Sequence, residues 1–477
     1  MRETEKIFAG REAETETLTA LLQHNKAELV AILGRRRVGK TYLVKKVFRE
    51  TLCFHFTGIK DAEKTIVLSE FTEKIKTLAP TKFAVAAPQN WMDAFRLLKK
   101  YLLTIKSKKK KVVFLDEFPW MDNHRAGFLP AFEFFWNDWA VDQNIIIVLC
   151  GSSTSWMIKN VLNNKGGLHN RITKYINLAP FTLRETKQML ALKGIALPQY
   201  EIIQLYMALG GVPYYLNEIK KGESAIQSID RILFSEKSTL KNEFKNLYRA
   251  LFDNYENYET IVKLLSTKRK GLTRQQIIDG TSITNGGGLT RMLTELEESS
   301  FIKSFIPFGK EKKETLYRLV DEYSVFYFQF NPQKNSVGSF IKASTSHKCK
   351  SWVGFAFESL CIKHSHQIKK ALGISGIFST ESSFYFKGNK TDEGFQIDLL
   401  IDRSDNSINI CEMKFYAKEF ELTKKESELL RKRRELFREK TTTKKYLINT
   451  LLTTYGLKQS ENSVGIIDKV VLMDQLF

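Results

Sequence analysis

The sequence has few cysteines and no long apolar segment. Its 477 residues include five cysteines, an odd number without a C-x-x-C pair, which favours a reducing compartment over a disulfide framework. No apolar run approaches the roughly eighteen residues that a membrane span needs. The first residues, MRETEK, lack the apolar core of a signal peptide. We therefore expect a cytoplasmic protein that does not associate with membranes.

Acidic residues are scarce relative to basic ones. The chain has 53 Asp and Glu against 74 Lys and Arg, a net charge of +21 that is spread over the whole sequence. This excess indicates a polyanionic partner, most often nucleic acid, although solubility alone also explains it. Hydrophobic residues make up 43% and charged residues 27%, which is typical of globular domains. The length predicts two or three of them.

The segment 34–41 reads GRRRVGKT and follows the apolar run Leu29–Leu33. Its pattern, G-x-x-x-x-G-K-[ST] between a strand and a helix, is typical of a phosphate-binding loop. Glycines let successive backbone N–H groups face one anion, the lysine reaches the β- and γ-phosphates, and the hydroxyl ligates Mg²⁺. We predict ATP binding by the residues of this loop: Gly34, Arg37, Val38, Gly39, Lys40 and Thr41.

A second apolar run, VVFL at 112–115, ends in Asp116 and Glu117. On a separate strand after a phosphate loop, these acids complete the nucleotide site. Asp116 is predicted to hold Mg²⁺ together with Thr41, and Glu117 to orient and deprotonate the attacking water. The preceding lysines 108–111 are interpreted as a solvated strand start.

Strands and helices alternate up to residue 180. The predicted strands are 52–57, 112–115, 145–149 and 174–178, and the predicted helices are 41–49, 61–78, 92–105, 126–139 and 155–163. This alternation predicts a parallel sheet with ligands at the carboxyl ends of its strands. Ser152 follows such an end and could sense the γ-phosphate. Arg171, before the last strand, could supply transition-state charge in the same subunit or a neighbouring one.

Residues 7–220 resemble the archaeal-type ATPases, a branch related to AAA+ proteins and near the STAND ATPases. The matching segments are FAGRE at 8–12, the arginine-rich loop, FLDEF at 114–118, GSS at 151–153, Arg171 ahead of LAPF at 178–181, and GGVPYYL at 210–216. The resemblance implies that Ser152 is a sensor, Arg171 an arginine finger and residues from 210 part of a helical lid. It also implies that Gly10 and Arg11 lie near the adenine. Among partners we further consider a second copy of the chain, bound through the ATPase core.

Residues 255–330 change in character. Helical segments at 258–265, 273–279 and 289–299 are followed by apolar runs at 301–308 and 315–320, with Thr273 as a helix cap. Three helices and a hairpin predict a winged helix-turn-helix. Its exposed third-helix residues would read DNA and its wing lysines would contact phosphates, unless the module is only a scaffold. The third-helix residues are Thr290, Arg291 and Thr294, and the wing lysines are Lys310, Lys312 and Lys313.

The C-terminal region contains two acidic strand patterns, FQIDLLI at 395–401 and INICEMK at 408–414. Alternation places Glu412 and Lys414 on one face. If Asp398 lies opposite, two carboxylates can hold Mg²⁺ against a scissile phosphate while Lys414 steadies the water. This is the PD-(D/E)XK constellation, with Glu358 as the acid on the preceding helix and a basic helix at 424–440 behind it.

Residues 317–477 also resemble the nuclease-like domain fused to archaeal-type ATPases. The matches are YRLVDEY at 317–323, GFAFE at 354–358, IDL at 397–399 and EMK at 412–414. A separate possibility is a zinc site, with His347, Cys349, Cys361 and His364 as its four ligands. Core packing and surface exposure also explain Cys361 and His364.

The sequence therefore predicts a multidomain α/β protein. The expected order is a P-loop parallel α/β ATPase core (1–185), a helical lid (186–254), a winged helix (255–330), a polar connector (331–350) and a PD-(D/E)XK nuclease-like domain (351–477). The expected function is ATP hydrolysis coupled to DNA binding or Mg²⁺-dependent cleavage by Glu358, Asp398, Glu412 and Lys414. A non-cleaving ATP switch that binds DNA or protein is the alternative.

Overall fold

The computed structural model describes residues 7–80, 85–122, 127–238, 240, 243–252, 254–389 and 392–477. The chain divides into two compact units. The N-terminal unit comprises residues 11–179 with 251 and 252, and the C-terminal unit comprises the other described residues. None of the described helices is long and apolar enough to cross a bilayer.

The N-terminal unit is built on a five-stranded parallel sheet in the order β2-β3-β4-β1-β5. Strands β1 and β4 are buried along their whole length, as expected for apolar runs covered by helices on both faces. The strands are β1 Glu28–Leu33, β2 Leu52–Thr57, β3 Lys111–Asp116, β4 Ile145–Cys150 and β5 Lys174–Asn177. The helices are α1 Glu12–Ala20, α2 Lys40–Val47, α3 Lys64–Leu78, α4 Trp91–Thr104, α5 Phe128–Asp138 and α6 Thr154–Met157.

The predicted strands and helices of this unit are confirmed to within a few residues. The predicted helix 155–163 is a short α-helix, α6, followed by a π-turn at Ile158–Leu162. The predicted start of the helix at 126 lies outside the described residues. Thr57 pairs with Asp116, and Ile32 with Cys150, so the carboxyl ends of β1 to β4 share one edge of the sheet.

Lys110 corrects the prediction of a solvated lysine run. Its side chain is buried, and its ammonium donates to the carbonyls of Leu21 at 3.1 Å, His24 at 2.8 Å and Lys26 at 2.6 Å. These carbonyls follow the end of α1, and of them Leu21 O also accepts a hydrogen bond from the His24 N–H at 3.4 Å. Lys110 therefore ties the start of β3 to the chain that enters β1.

The C-terminal unit begins with helices and continues into a three-stranded, a five-stranded and a two-stranded sheet. Its helices are α7 Leu183–Leu192, α8 Gln199–Leu209, α9 Pro213–Leu216, α10 Ala225–Phe234, α11 Glu243–Leu251, α12 Tyr255–Ser266, α13 Arg274–Thr281, α14 Gly287–Glu298, α15 Glu322–Phe330, α16 Ser339–Ala343, α17 His347–Lys363, α18 Ser365–Ala371 and α19 Lys424–Thr441. Its strands are β6 Leu272–Thr273, β7 Ile302–Phe305, β8 Leu316–Leu319, β9 Ser379–Phe386, β10 Phe395–Arg403, β11 Ser407–Lys414, β12 Phe420–Glu421, β13 Tyr446–Thr453, β14 Leu457–Lys458 and β15 Lys469–Leu472.

Helices α12 to α14 are accompanied by a three-stranded antiparallel sheet in the order β6-β8-β7. Strand β6 lies between α12 and α13 in the chain, and β7 and β8 follow α14. The predicted cap is confirmed, because the Thr273 hydroxyl accepts a hydrogen bond from the Gln276 N–H in a capping box. Strand β6 was not predicted. Its two residues are too few to give a periodic pattern.

The larger sheet has the order β15-β13-β11-β10-β9. Strands β9, β10 and β11 are antiparallel neighbours, whereas β13 and β15 run parallel to β11. Helix α19 packs on it through Leu436 and Phe437, as the helical spacing of its apolar residues predicts. The predicted polar connector at 331–350 contains α16 and the start of α17. The N–H groups of Gly338 and Phe340 bond to Asp230 of α10.

Candidate nucleotide site and C-terminal charged cluster

The phosphate-loop segment lies between β1 and α2. Gly34 has φ 135°, and a Cβ there would lie 2.4 Å from the Leu178 carbonyl oxygen, so the loop needs glycine at this position. Gly39 caps α2 with φ 96°. Arg37, also with positive φ (71°), lies between them, and Val38 is buried. The backbone thus makes the tight turn that the sequence predicts.

Lys40 and Thr41 begin α2 and point to the centre of this site. The Lys40 ammonium donates to the carbonyls of Gly34 at 2.6 Å and Arg35 at 3.0 Å. The Thr41 hydroxyl donates to Asp116 Oδ2 at 2.7 Å. The fold therefore brings the two predicted Mg²⁺ ligands together from α2 and β3. Burial raises the pKa of Asp116, against the lowering effect of the Thr41 hydrogen bond.

Glu117 is positioned by the next strand of the sheet. Its backbone is left-handed (φ 45°), and its Oε2 accepts hydrogen bonds from Ser152 N at 3.0 Å and Ser152 Oγ at 2.8 Å. Ser152 is 1% exposed. The structure thus joins the predicted base and the predicted sensor directly, because β3 and β4 are adjacent and end at the same edge.

His55 belongs to this site and is not identified from the sequence. Its Nε2 lies 4.0 Å from Asp116 Oδ2, and its ring stacks on Phe114 at 4.9 Å between centroids. Burial, with help from Lys45 and Lys74, lowers the pKa of His55 to about 4, so the ring is neutral near pH 7. In the sequence, the position of His55 within an otherwise apolar strand is the feature that could have marked it as a site residue. However, only the pairing of β2 with β3 brings it to Asp116.

Arg11 contacts the phosphate loop. Its guanidinium donates to the carbonyls of Val38 at 3.1 Å and Ala179 at 2.7 Å, and it is 4% exposed. Gly10 belongs to the C-terminal unit, where a Cβ on it would lie 2.5 Å from Glu185 Cγ. The expectation that these residues lie near an adenine stays a prediction.

Arg171 is not brought together with the other site residues of the N-terminal unit. It is exposed in the turn before β5. The Thr173 N–H donates to Leu29 O at 2.9 Å, and Lys174 pairs with Val30. These positions lie near the beginning of β1, whereas the phosphate loop follows its end, about 13 Å further along at 3.3 Å per residue. The register therefore argues against action of Arg171 within its own subunit.

In the predicted nuclease-like site, Glu412 contacts basic side chains. Leu399 pairs with Cys411 in the antiparallel register, which places Asp398 and Glu412 on adjacent strands next to that pair. Glu412 Oε1 lies 2.9 Å from Lys414 Nζ, and Glu412 Oε2 accepts from Arg433 at 3.1 Å. Both carboxylate oxygens of Glu412 are thus engaged by cations. Arg433, on the basic helix α19, was predicted only as part of a basic run.

The charges of Asp398 and Glu358 act on Arg318 of β8, where they oppose the lowering of its pKa by burial. Arg318 is 4% exposed and donates to Ser359 Oγ at 3.0 Å, while its guanidinium lies 4.9 Å from the ring centre of Phe355. Burial, followed by the charge of Asp398, raises the pKa of Glu358 to about 7. The role of Arg318 was not identified from the sequence, since β8 lies about 80 residues before β10.

Among the described residues, no group of three or more His, Cys, Asp and Glu side chains is placed to hold a metal ion. The zinc alternative is therefore not supported by the described residues. Instead, His364 is buried and bonds to the backbone of Leu183 and Leu360. The use of Asp398 and Glu412 as Mg²⁺ ligands stays a prediction.

The residues predicted to contact DNA are exposed. Thr290, Arg291 and Thr294 lie on α14. In the wing, Lys310 pairs with Glu314 at 3.1 Å and Lys313 with Glu311 at 2.9 Å. These pairs offset part of the positive charge that was expected there.

Residues 8–219 match a family model described as an ATPase domain predominantly from Archaea. This part of the chain is therefore similar to archaeal ATPase domains, and the parallel sheet and the loop geometry agree with that similarity. The match covers residues 11–179 of the N-terminal unit and helices α7 to α9.

Two relatives come from Methanocaldococcus jannaschii. The uncharacterized protein MJECL04 is 24% identical over 391 residues, which are 81% of this chain and 83% of the relative. The uncharacterized ATP-binding protein MJ0423 is 50% identical over 40 residues, 8% of this chain and 68% of the relative.

Two solved structures are similar at low identity. The Walker-type ATPase PABY2304 of Pyrococcus abyssi has a TM-score of 0.48 and 19% identity, covering 68% of this chain and 96% of its own. The ORC2 protein of Aeropyrum pernix, in ADPNP-ADP complexes, has a TM-score of 0.38 and 14% identity, covering 76% of this chain and 97% of its own.

Proposed function

We propose that the protein binds and hydrolyses ATP and couples this reaction to binding of nucleic acid by its C-terminal unit. The observation that carries the ATPase proposal is the contact of Thr41 with Asp116 at 2.7 Å beside the Glu117–Ser152 pair. This arrangement brings a hydroxyl and a carboxylate for Mg²⁺ next to a carboxylate for water activation. The match to an archaeal ATPase domain supports the same proposal.

The residues of the site suit a triphosphate with Mg²⁺. Hard oxygen donors are the ligands that Mg²⁺ prefers, and Thr41 Oγ1 and Asp116 Oδ2 provide two of them. Mg²⁺ held there would neutralise charge on the phosphate oxygens. Lys40 exchanges its contacts with the Gly34 and Arg35 carbonyls for the β- and γ-phosphates, because its flexible side chain can turn toward a stronger anionic partner.

In the proposed hydrolysis, Glu117 accepts a proton from the attacking water. The water oxygen forms a bond to the γ-phosphorus as the bond to the β,γ-bridging oxygen breaks, which leaves ADP and phosphate. Ser152 donates both of its hydrogen bonds to Oε2, so Oε1 is the oxygen that faces the water. Ser152 thus fixes the orientation of the base.

The variant Glu117→Gln tests this proposal. It keeps the shape of the side chain but removes the proton acceptor, so ATP affinity should stay within about two-fold while turnover falls by roughly a hundred-fold or more. Titration calorimetry and phosphate release measure the two effects. Glu73→Gln, at an exposed position on α3, is the control. Unchanged turnover in Glu117→Gln would remove Glu117 from the mechanism.

For the C-terminal unit we propose binding of nucleic acid. The net charge of +21 favours a polyanion, and the order of three helices and a small antiparallel sheet at 255–319 is typical of a winged helix. The larger mixed sheet with Asp398, Glu412 and Lys414 is consistent with a nuclease-like domain. Binding without cleavage is the second candidate, favoured by the engagement of both Glu412 oxygens by Lys414 and Arg433. For this reason we derive no cleavage step.

A plasmid assay distinguishes the two candidates. If the unit is a nuclease, the parent protein should nick supercoiled DNA with Mg²⁺, and Lys414→Ala should abolish nicking while Lys418→Ala, at an exposed neighbouring position, retains it. Salt-dependent binding without nicking by the parent protein would establish the non-cleaving candidate.

A further inference from the structure

The C-terminal unit contains a cavity of about 550 Å³ that reaches the charged cluster. Its wall includes Glu358 and Lys414, together with Tyr200 of α8 and Phe415 just after β11. The volume is within the range of about 300–1,000 Å³ that is usual for small-molecule sites. The cavity thus lies between helices that include α8 and α17 and the strand β11, which carries Glu412 and Lys414.

One side of this cavity is aromatic. The rings of Tyr200 and Phe415 stack with centroids 4.5 Å apart and planes 12° apart, and Tyr455 stacks on Tyr200 at 5.8 Å. Trp352 of α17 also lines the cavity. Tyr200 thus stacks with two other rings and forms part of an aromatic wall. An unpaired base that packs against such a wall is held with little dependence on base identity.

The other groups in the cavity suit a phosphate. Lys414 and the exposed Lys350 of α17 supply two positive charges, and Gln204 of α8 supplies an amide. Glu358 faces the same space. The cavity therefore combines a stacking surface with donors for an anion.

We propose that this cavity receives one unpaired nucleotide of a nucleic-acid strand, with its base against Tyr200 and Phe415 and its phosphate near Lys414 and Lys350. This inference rests on the proposed binding of nucleic acid and names the form that is bound. A base in a duplex is stacked and paired on both sides, so it cannot enter the cavity without being extruded. This cavity consequently accepts a single strand and not the paired bases of a blunt duplex.

Fluorescence anisotropy with the full chain tests the proposal. The probes are a fluorescein-labelled single-stranded DNA of twelve nucleotides and the corresponding blunt duplex, at about 0.1 M salt. Tyr200→Ala should weaken single-strand binding roughly ten-fold, as expected for loss of one stacked base, and change duplex binding by less than two-fold. Tyr200→Phe should retain binding. Tyr446→Ala, at an exposed position on β13, is the matched control.

The possible results separate this inference from the proposed function. If the parent chain binds ATP but neither DNA probe, the proposed nucleic-acid function fails and the cavity proposal fails with it. If it binds single strands but Tyr200→Ala binds them equally well, or loses both probes equally, only the cavity proposal is overturned. Thermal unfolding reports whether Tyr200→Ala is folded. If it is not, Lys350→Gln should weaken single-strand binding about three-fold, and an unchanged affinity overturns the proposal.

Discussion

At the scale of single residues, His364 shows how burial controls charge. The ring is 2% exposed, its Nε2 accepts from the Leu183 N–H at 3.3 Å, and its Nδ1 contacts Leu360 O at 2.9 Å. Burial lowers the pKa of His364 to about 4 from its ordinary value of 6.5. Protonation would therefore place an unsolvated charge in the core and take away the lone pair that accepts from Leu183.

This pKa predicts a dependence of stability on pH. Between pH 4 and 6.5 the unfolded chain binds more protons than the folded one at His364, so stability rises with pH and is lost as pH falls below 6.5. The loss from pH 6.5 to 5 is about 2 kcal/mol at about 1.4 kcal/mol per pKa unit. His364→Gln should lack this contribution. Urea unfolding at both pH values measures it.

The control for this prediction is His347→Gln, because His347 is exposed at the start of α17. It should retain the pH dependence of the parent chain. If His364→Gln loses as much stability as the parent between pH 6.5 and 5, His364 is not the group responsible.

At the scale of elements, Lys110 secures the segment between α1 and β1. Its three carbonyl contacts, at 2.6 to 3.1 Å, satisfy acceptors that follow the end of a helix. Burial lowers the pKa of Lys110. A buried lysine with these partners acts as a cap supplied by another element.

Replacement of Lys110 should lower the free energy of unfolding. Lys110→Met keeps the apolar stem but removes the ammonium from the carbonyls of His24 and Lys26 and leaves Leu21 O with the His24 N–H, so the free energy of unfolding should fall by about 1–3 kcal/mol. Lys109→Met is the matched control. Lys109 is exposed and pairs only with the exposed Glu50 among the described contacts, so its loss should cost less than about 0.5 kcal/mol. Urea unfolding compares the variants, and equal losses would contradict the assignment.

At the scale of the whole molecule, the position of Arg171 is relevant to whether the chain acts together with a second copy of itself. The pairing of β5 with β1 places it near the beginning of β1, away from the phosphate loop. If Arg171 is an arginine finger, it must therefore act on the site of another copy of the chain. This geometry supports the predicted self-association of the ATPase core, which stays a proposal.

A mixing experiment tests action between subunits. Arg171→Ala and Glu117→Gln should each have low ATPase activity alone. In a mixture, an Arg171→Ala subunit keeps its own Glu117 and receives Arg171 from its neighbour, so activity should recover to a substantial fraction of the parent value. Lys174→Ala, exposed on β5, should remain active alone. No recovery in a mixture of stably associated variants would contradict action between subunits.

Much of the fold could be predicted because its strands are locally distinctive. The strand 52–57 was predicted with its observed bounds, and β1, β3 and β4 are apolar runs that a parallel sheet buries on both faces. Strand β9 was missed because its residues, STESSFYF, lack a clear alternation. The short helix α16 was missed within a polar segment, since its stability comes from Asp230 of α10.

The sequence by itself determined the parts of the nucleotide site, because glycine spacing, the lysine and the acids after an apolar strand are local requirements of phosphate and metal chemistry. Only the tertiary structure decided which groups meet across distant segments. It brought His55 to Asp116, Arg433 to Glu412 and Tyr200 to Phe415. These contacts depend on strand order and helix packing, which no short pattern specifies.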